Sequence, residues 1–243
     1  MIQESLKRST RKYIHNRMKD YVKTSLVTSL AIQWVTLFIN LFGLFQTIPA
    51  KDFILKEILG LESIVQAIEL FFYTWYQNHI EAKINDVTVY RYYDWLITTP
   101  LMLFSTMGFY GYINHTKPEP LRLFPFYQEN SSTILFVLFM NFLMLMFGYL
   151  QELNLISLPS STLWGFASLF TGFSTIYTNF VAQGSYQYIF FIVFFIWSLY
   201  GIAAMFENHL KNISYNILDI FAKNFYGVFL SYFVYSLSTS RNV

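Results

Sequence analysis

The sequence predicts an all-α membrane protein, a bundle of seven spanning helices, and three observations predict it. Only 12% of the 243 residues are charged, while 55% are hydrophobic and 21% aromatic; soluble domains carry about 25% charged residues. Seven apolar runs follow one another along the chain, each close to the roughly 20 residues that a spanning helix needs. The stretches between them are short and polar, so no second domain is expected. Helices are the natural spanning elements because they satisfy their own backbone hydrogen bonds in lipid. The same composition excludes a disordered chain, which would be rich in charge and poor in aromatics. The absence of cysteine excludes disulfides, thiolate zinc sites and iron–sulfur ligation, and no metal site is expected. A formal charge of +2 is too small to suggest nucleic acid as a partner.

The elements divide into an arm, a bundle and a tail. Residues 1–23 hold seven of the 16 basic residues, Lys7, Arg8, Arg11, Lys12, Arg17, Lys19 and Lys23. With Ile14, Met18, Tyr21 and Val22 they read as a basic amphipathic arm suited to a headgroup surface. No small-residue cleavage site follows an early apolar core, so the arm is not read as a signal peptide. The apolar runs cover approximately 24–48, 58–78, 87–110, 132–151, 158–178, 187–206 and 213–236. Polar or turn-rich breaks separate them, among them Ala50-Lys51-Asp52, Asn78 to Asp86, His115 to Arg122, Ser157-Leu158-Pro159, Gln183-Gly184-Ser185 and Asn208 to Asn212. The second, third and seventh runs carry ionisable residues and are expected to score lower on hydropathy. The seven-helix unit thus spans 24–236, and 237–243 form a short tail.

Charge inside the spans is the informative feature. Each such residue costs about 2.5–3.5 kcal/mol at a bilayer centre and persists when it is paired or lines a functional cavity. Asp219 and Lys223 stand four apart on one face of the seventh run. Arg91 and Asp94 are three apart in the third, followed by Trp95, Thr98, Thr99 and Pro100. Glu62 and Glu69 lie seven apart, on one stripe of the second. A charge network that only fixes helix packing would produce the same pattern. A buried lysine with carboxylates beside it also suits a Schiff base to a carbonyl compound, whose cation needs anionic partners. Flat aromatic rings would sandwich a long polyene, although most rings in so aromatic a chain pack or face lipid.

Two motifs carry a resemblance. Arg91-Tyr92-Tyr93-Asp94-Trp95-Leu96-Ile97-Thr98-Thr99-Pro100 resembles the third helix of microbial (type 1) rhodopsins, and Asp219-Ile220-Phe221-Ala222-Lys223 resembles their seventh. Trp197-Ser198-Leu199-Tyr200 is similar to the pocket of their sixth helix. The likeness runs over roughly 25–236 and has the look of the giant-virus and marine protist group. It implies all-trans retinal on Lys223, with Asp94 as primary counterion and proton acceptor and Asp219 as second counterion. It also implies that Arg91 gates the release path and that Trp95, Trp197 and Tyr200 line the polyene. Thr99, Met102, Asn141, Met144, Gly148 and Trp164 are expected around the chain or ring. The functional triplet reads Asp94, Thr98 and Ser105, which suits a light-driven outward proton pump, a transporter and not an enzyme. Met102 at a colour-tuning position goes with green absorption.

The resemblance leaves departures. Ser105 stands where many pumps have a carboxylate that reprotonates the Schiff base, and Glu62 is the candidate replacement. Gly201 takes the place of a kinking proline, and Ala204 that of a second pocket tryptophan. Glu207 and His209 are the candidates at the release end. The family's topology puts the amino terminus outside, against the positive-inside rule, and its members often form trimers or pentamers in the lipid bilayer. Glu62 and Glu69 motivate the alternative of a light-gated cation channel, whose pore in this family is lined by glutamates on the second helix. A sensory photoreceptor is the other alternative, motivated by the missing donor.

Overall fold

The computed structural model describes residues 2–83, 87–182 and 184–240, with side chains from residue 17 onward except those of 81 and 83. Seven helices make up the fold: α1 (Ile2–Phe45), α2 (Ile54–Lys83), α3 (Val87–Ile113), α4 (Leu123–Glu152), α5 (Leu158–Ile176), α6 (Gln187–Ala203) and α7 (Asn208–Thr239). At 1.5 Å per residue, the 44 residues of α1 reach about 66 Å, well beyond a hydrocarbon core of about 30 Å. The helix is continuous across residue 23, where arm and first span were divided. The face expected of the arm depends on Lys7, Arg8, Arg11, Lys12 and Ile14, whose side chains lie outside the described residues, as do Asp86, Gln183 and 241–243.

Helix ends follow local chemistry more than apolar content. The α4 helix begins nine residues before its apolar run because Pro125, harmless in a first turn, starts it. Glu57 fixes that start: it accepts from the Leu123 backbone N–H at 2.8 Å and from Arg122 Nε and Nη2 at 2.9 and 2.7 Å. Ser157 caps α5, its Oγ accepting from Ser160 N–H at 3.3 Å, with Pro159 in the first turn. Hydropathy picks out α1, α3, α4 and α7 as long and apolar enough to cross a membrane. The third and seventh runs therefore pass despite their ionisable residues, while the second does not.

Two π-helical turns interrupt the α-helical pattern, Tyr177–Val181 after α5 and Ile220–Asn224 within α7. The second carries Lys223. Helices α1 and α7 run parallel in one register: Asn216 donates to Ser25, Ser231 to Asn40 and Ser238 to Gln46, a constant offset of 191 or 192 residues. Gly227 permits this approach, since a methyl there would fall 2.8 Å from Asn40 Nδ2. The main apolar core lies toward the opposite end from the start of α1 and includes Ile58, Leu59, Met107, Phe109, Phe173 and Leu230.

Candidate functional site

Three buried carboxylates and two buried cations meet where α2, α3 and α7 face each other. Lys223 Nζ lies 3.1 Å from Asp94 Oδ2, 3.1 Å from Glu69 Oε1 and 3.5 Å from Asp219 Oδ1. Asp219 is the most heavily tied of the acids. It accepts from Tyr73 Oη at 2.6 Å, Tyr200 Oη at 2.7 Å and Arg91 Nη1 at 3.4 Å. Arg91 also donates to Asn212 Oδ1 at 3.2 Å, to Tyr73 Oη at 3.3 Å and to Asn216. The rings of Phe72, Tyr73, Tyr76 and Tyr215 surround its guanidinium at 5.5–5.9 Å. Buried charge is tolerated only when paired and hydrogen-bonded in this way.

Glu62 lies one stretch further along α2 and hydrogen-bonds Ser105. The two residues are thus brought together as the sequence suggested, away from Lys223. Thr98 sits in the third-helix motif but donates to the Asp94 backbone carbonyl at 3.0 Å, not to a carboxylate. Thr99 donates to the Trp95 carbonyl and accepts from Asn141 Nδ2 at 2.9 Å, which ties α4 to α3.

A cavity leads from Lys223 between α3, α4, α5 and α6. Trp95 and Trp197 face it, together with Tyr200, Thr99, Met102, Met144 and Gly148. A methyl at Gly148 would collide with Tyr92, so only glycine leaves that wall flat. Gly201 likewise receives the Phe166 ring, 2.7 Å from where a methyl would stand. Two expected lining residues lie elsewhere. Asn141 borders a smaller adjoining space instead, with Met144 and Trp197. Trp164 is 54% exposed and stacks on Phe147, because the helical turn that points its neighbour Gly165 inward points it out. The lining suits a long apolar polyene: it is walled by Trp95, Trp197 and Tyr200 and ends on one amine among acids.

Several polar residues missed in the sequence complete the site. Ser29, Gln33, Thr36 and Asn40 are all buried on one stripe of α1, and Gln66 stands between Glu62 and Glu69 on α2. Asn212, Asn216, Asn224 and Ser231 continue the seam on α7. On α1 and α2 their spacing of three to four in otherwise apolar runs was the available signal. A buried pair, Lys211 Nζ to Glu152 Oε1 at 2.6 Å, joins α7 to α4; residues 59 apart in sequence gave no hint of it. Glu207 is exposed and His209 half-buried at the start of α7.

Seven helices around a lysine held by carboxylates, with a polyene-shaped cavity at its tip, define a microbial rhodopsin, an integral multi-pass membrane protein of a retinal-binding class. Residues 24–237 match the family described as bacteriorhodopsin-like protein, and the chain belongs to that family. It resembles the crystal structure of viral rhodopsin OLPVRII at 27% identity and a TM-score of 0.78, over 88% of this chain and 98% of that one. That likeness supports a place in the giant-virus group. Xanthorhodopsin, described as a light-driven ion pump with dual chromophore, shares 19% identity and a TM-score of 0.68 over 93% of this chain and 96% of its own. Exiguobacterium sibiricum rhodopsin shares 14% identity and a TM-score of 0.70 over 92% and 98%. No curated protein matches by sequence.

Proposed function

We propose that the protein is a light-gated cation channel whose conducting path is the polar seam between α1, α2 and α7. One observation carries this reading: the seam holds buried polar atoms with no hydrogen-bond partner among the described residues. They are Gln33 Oε1, Asn40 Nδ2, Gln66 Nε2, Asn224 Oδ1 and Glu69 Oε2. An unpartnered polar group costs several kcal/mol in lipid, so these atoms call for water along the seam. They run from the level of Lys223, where Gln33 stands beside Asn224, to the Asn40–Ser231 end. A proton relay needs water near one nitrogen; a file of unmet amides on three helices suits a hydrated ion path. Glu62, Glu69, Asp94 and Asp219 give it an acidic lining, which favours cations.

Retinal attached to Lys223 supplies light absorption and a change of shape. The chain's own residues do the rest. In the dark, Nζ is a positive charge at mid-depth, and its contacts with Glu69 and Asp94 tie α2 and α3 to α7. A cation passing about 4 Å away would meet repulsion of about 4 kcal/mol at an effective dielectric of 20. Transfer of the Nζ proton to Asp94 removes that charge and loosens both ties, and the seam opens. Glu69 and Asp219, at 3.1 and 3.5 Å from Nζ, then offer cations an acidic site at the former block. The reading includes an amino terminus outside and a homo-oligomeric state, both taken from the family resemblance.

Outward proton pumping is the second reading, favoured by the direct contact of Lys223 with Asp94 and by the Glu62–Ser105 pair in the donor's place. Gln66→Leu separates the two. It dries the seam while leaving the acceptor and donor in place. The channel reading expects the photocurrent to fall at least tenfold with the visible band retained; an unchanged current, with light-driven acidification of a cell suspension, would support the pump.

A further inference from the structure

Helices α1 and α7 leave an apolar groove along one side of their contact. Its walls are Met18, Tyr21 and Thr28 from α1 and Leu210, Ile217 and Ile220 from α7. Thr24 and Ser25 also line it, but their hydroxyls donate to the carbonyls of Asp20 at 2.9 Å and Val22 at 3.0 Å. Ser25 accepts in turn from Asn216 at 2.9 Å, which closes the floor. These hydroxyls are satisfied inside the bundle, so the groove presents carbon to an occupant. Tyr21, Leu210 and Ile217 are exposed, so it opens on the flank. Leu210 and Ile220 are ten residues apart along α7, about 15 Å, which is half of a hydrocarbon core of about 30 Å. Ile220 opens the π-helical turn that carries Lys223. The groove thus runs from mid-depth to one membrane surface, the length of a single leaflet.

Positive charge gathers at the surface end. The offset that pairs Ser25 with Asn216 and Asn40 with Ser231 sets Arg17 level with Asn208, the first residue of α7. Arg17 is exposed, and the helical spacing of 17, 21, 24 and 28 puts it on a stripe that walls the groove. Beyond it, residues 2–16 of α1 continue past α7 by about 22 Å. Residues 1–23 hold seven basic residues against two acids, Glu4 and Asp20; Glu207 is the acid at the start of α7. We infer that the groove binds one anionic phospholipid of that leaflet, with an acyl chain between α1 and α7 and the phosphate at Arg17. Apolar length and positive charge define this ligand together. The groove alone takes any acyl chain, while basic residues at a membrane surface favour an anionic head. A second copy of the chain is a poor occupant. Every copy in the bilayer points the same way, so that contact would set two basic arms side by side.

The test counts the lipids that the full-length protein retains in native mass spectrometry. The protein is released from nanodiscs of equal parts phosphatidylglycerol and phosphatidylcholine with the same acyl chains. One phosphatidylglycerol is expected to stay bound, at least tenfold over phosphatidylcholine. Ile217→Trp fills the groove midway and is expected to cut that retention at least fivefold. Leu210→Trp, nearer the surface, carries the same expectation and covers the case in which Ile217→Trp fails to fold. Arg17→Gln keeps the groove and is expected to bring the two lipids close to parity. Phe139→Trp, exposed on α4, is the control and retains phosphatidylglycerol as before. Equal retention of the two lipids by the unsubstituted protein would overturn the inference. So would unchanged retention in both groove variants, or an unchanged preference in Arg17→Gln, since the lipid would then sit elsewhere. A dimer without selective lipid that dissociates in Ile217→Trp would also overturn it and make the groove a contact between copies.

Discussion

Replacing Glu152 with glutamine removes the acid from the buried ion pair that ties α4 to α7 beneath the chromophore cavity. Lys211 Nζ and Glu152 Oε1 are 2.6 Å apart, with side chains only 8% and 12% exposed, so solvent screens the pair weakly. Removing one partner of such a pair leaves a buried charge without compensation, which costs about 3–5 kcal/mol. For a chain of this size each kcal/mol moves the unfolding midpoint by about 2–4 °C, so Glu152→Gln is expected to lower it by on the order of 10 °C. Thermal loss of the visible band in detergent reads this directly. The double substitution Glu152→Leu with Lys211→Met removes both charges and is expected to recover most of the loss, since apolar replacement of a buried pair is often neutral or better. A midpoint within about 2 °C of the unsubstituted protein for Glu152→Gln would refute the reasoning, because the lysine would then have water or another acid to turn to.

Other expectations are as direct. Lys223→Ala abolishes the visible band on retinal addition while the protein still accumulates in membranes; a persisting band would remove Lys223 as the attachment site. Asp94→Asn takes an anion from 3.1 Å of Nζ and shifts the band to the red, so an unshifted spectrum would exclude Asp94 as a counterion. Gly148→Val forces the Tyr92 ring out of the cavity floor, at an overpacking cost of about 1–3 kcal/mol, and is checked by chromophore yield and thermal midpoint. Gly227→Ala pushes on Asn40 and breaks its bond with Ser231; the photocurrent is expected to fall with the spectrum unchanged.

Much of the site was legible in the sequence because its parts are local. Arg91 and Asp94, Asp219 and Lys223, and Glu62 and Glu69 each share one helix face, and helical spacing alone makes them neighbours. Which pairs meet across helices is not local. That Glu69, with Asp94, and not Glu62 contacts Lys223 depends on the register of α2 against α7, and the Tyr73 bond to Asp219 on the same register. Trp164 was misplaced for the opposite reason: one residue's step along a helix is about 100°, enough to trade the cavity for lipid. The polar stripe of Ser29, Gln33, Thr36 and Asn40 was open to view, yet dispersed small polar residues in an apolar run carry no charge to draw the eye. Helix ends were least legible, since the start of α4 is set by a proline in its first turn and a cross-helix carboxylate, not by hydropathy.

The central claim is that light opens a passive path for cations. It is tested most directly by recording photocurrents under voltage clamp in cells expressing the protein with retinal, first in sodium and then with external sodium replaced by a large organic cation. The account predicts a current that reverses sign with voltage and whose reversal potential moves to more negative values on replacement. A photocurrent that stays outward at every voltage, and ignores the replacement, would contradict it and leave active proton pumping through Asp94.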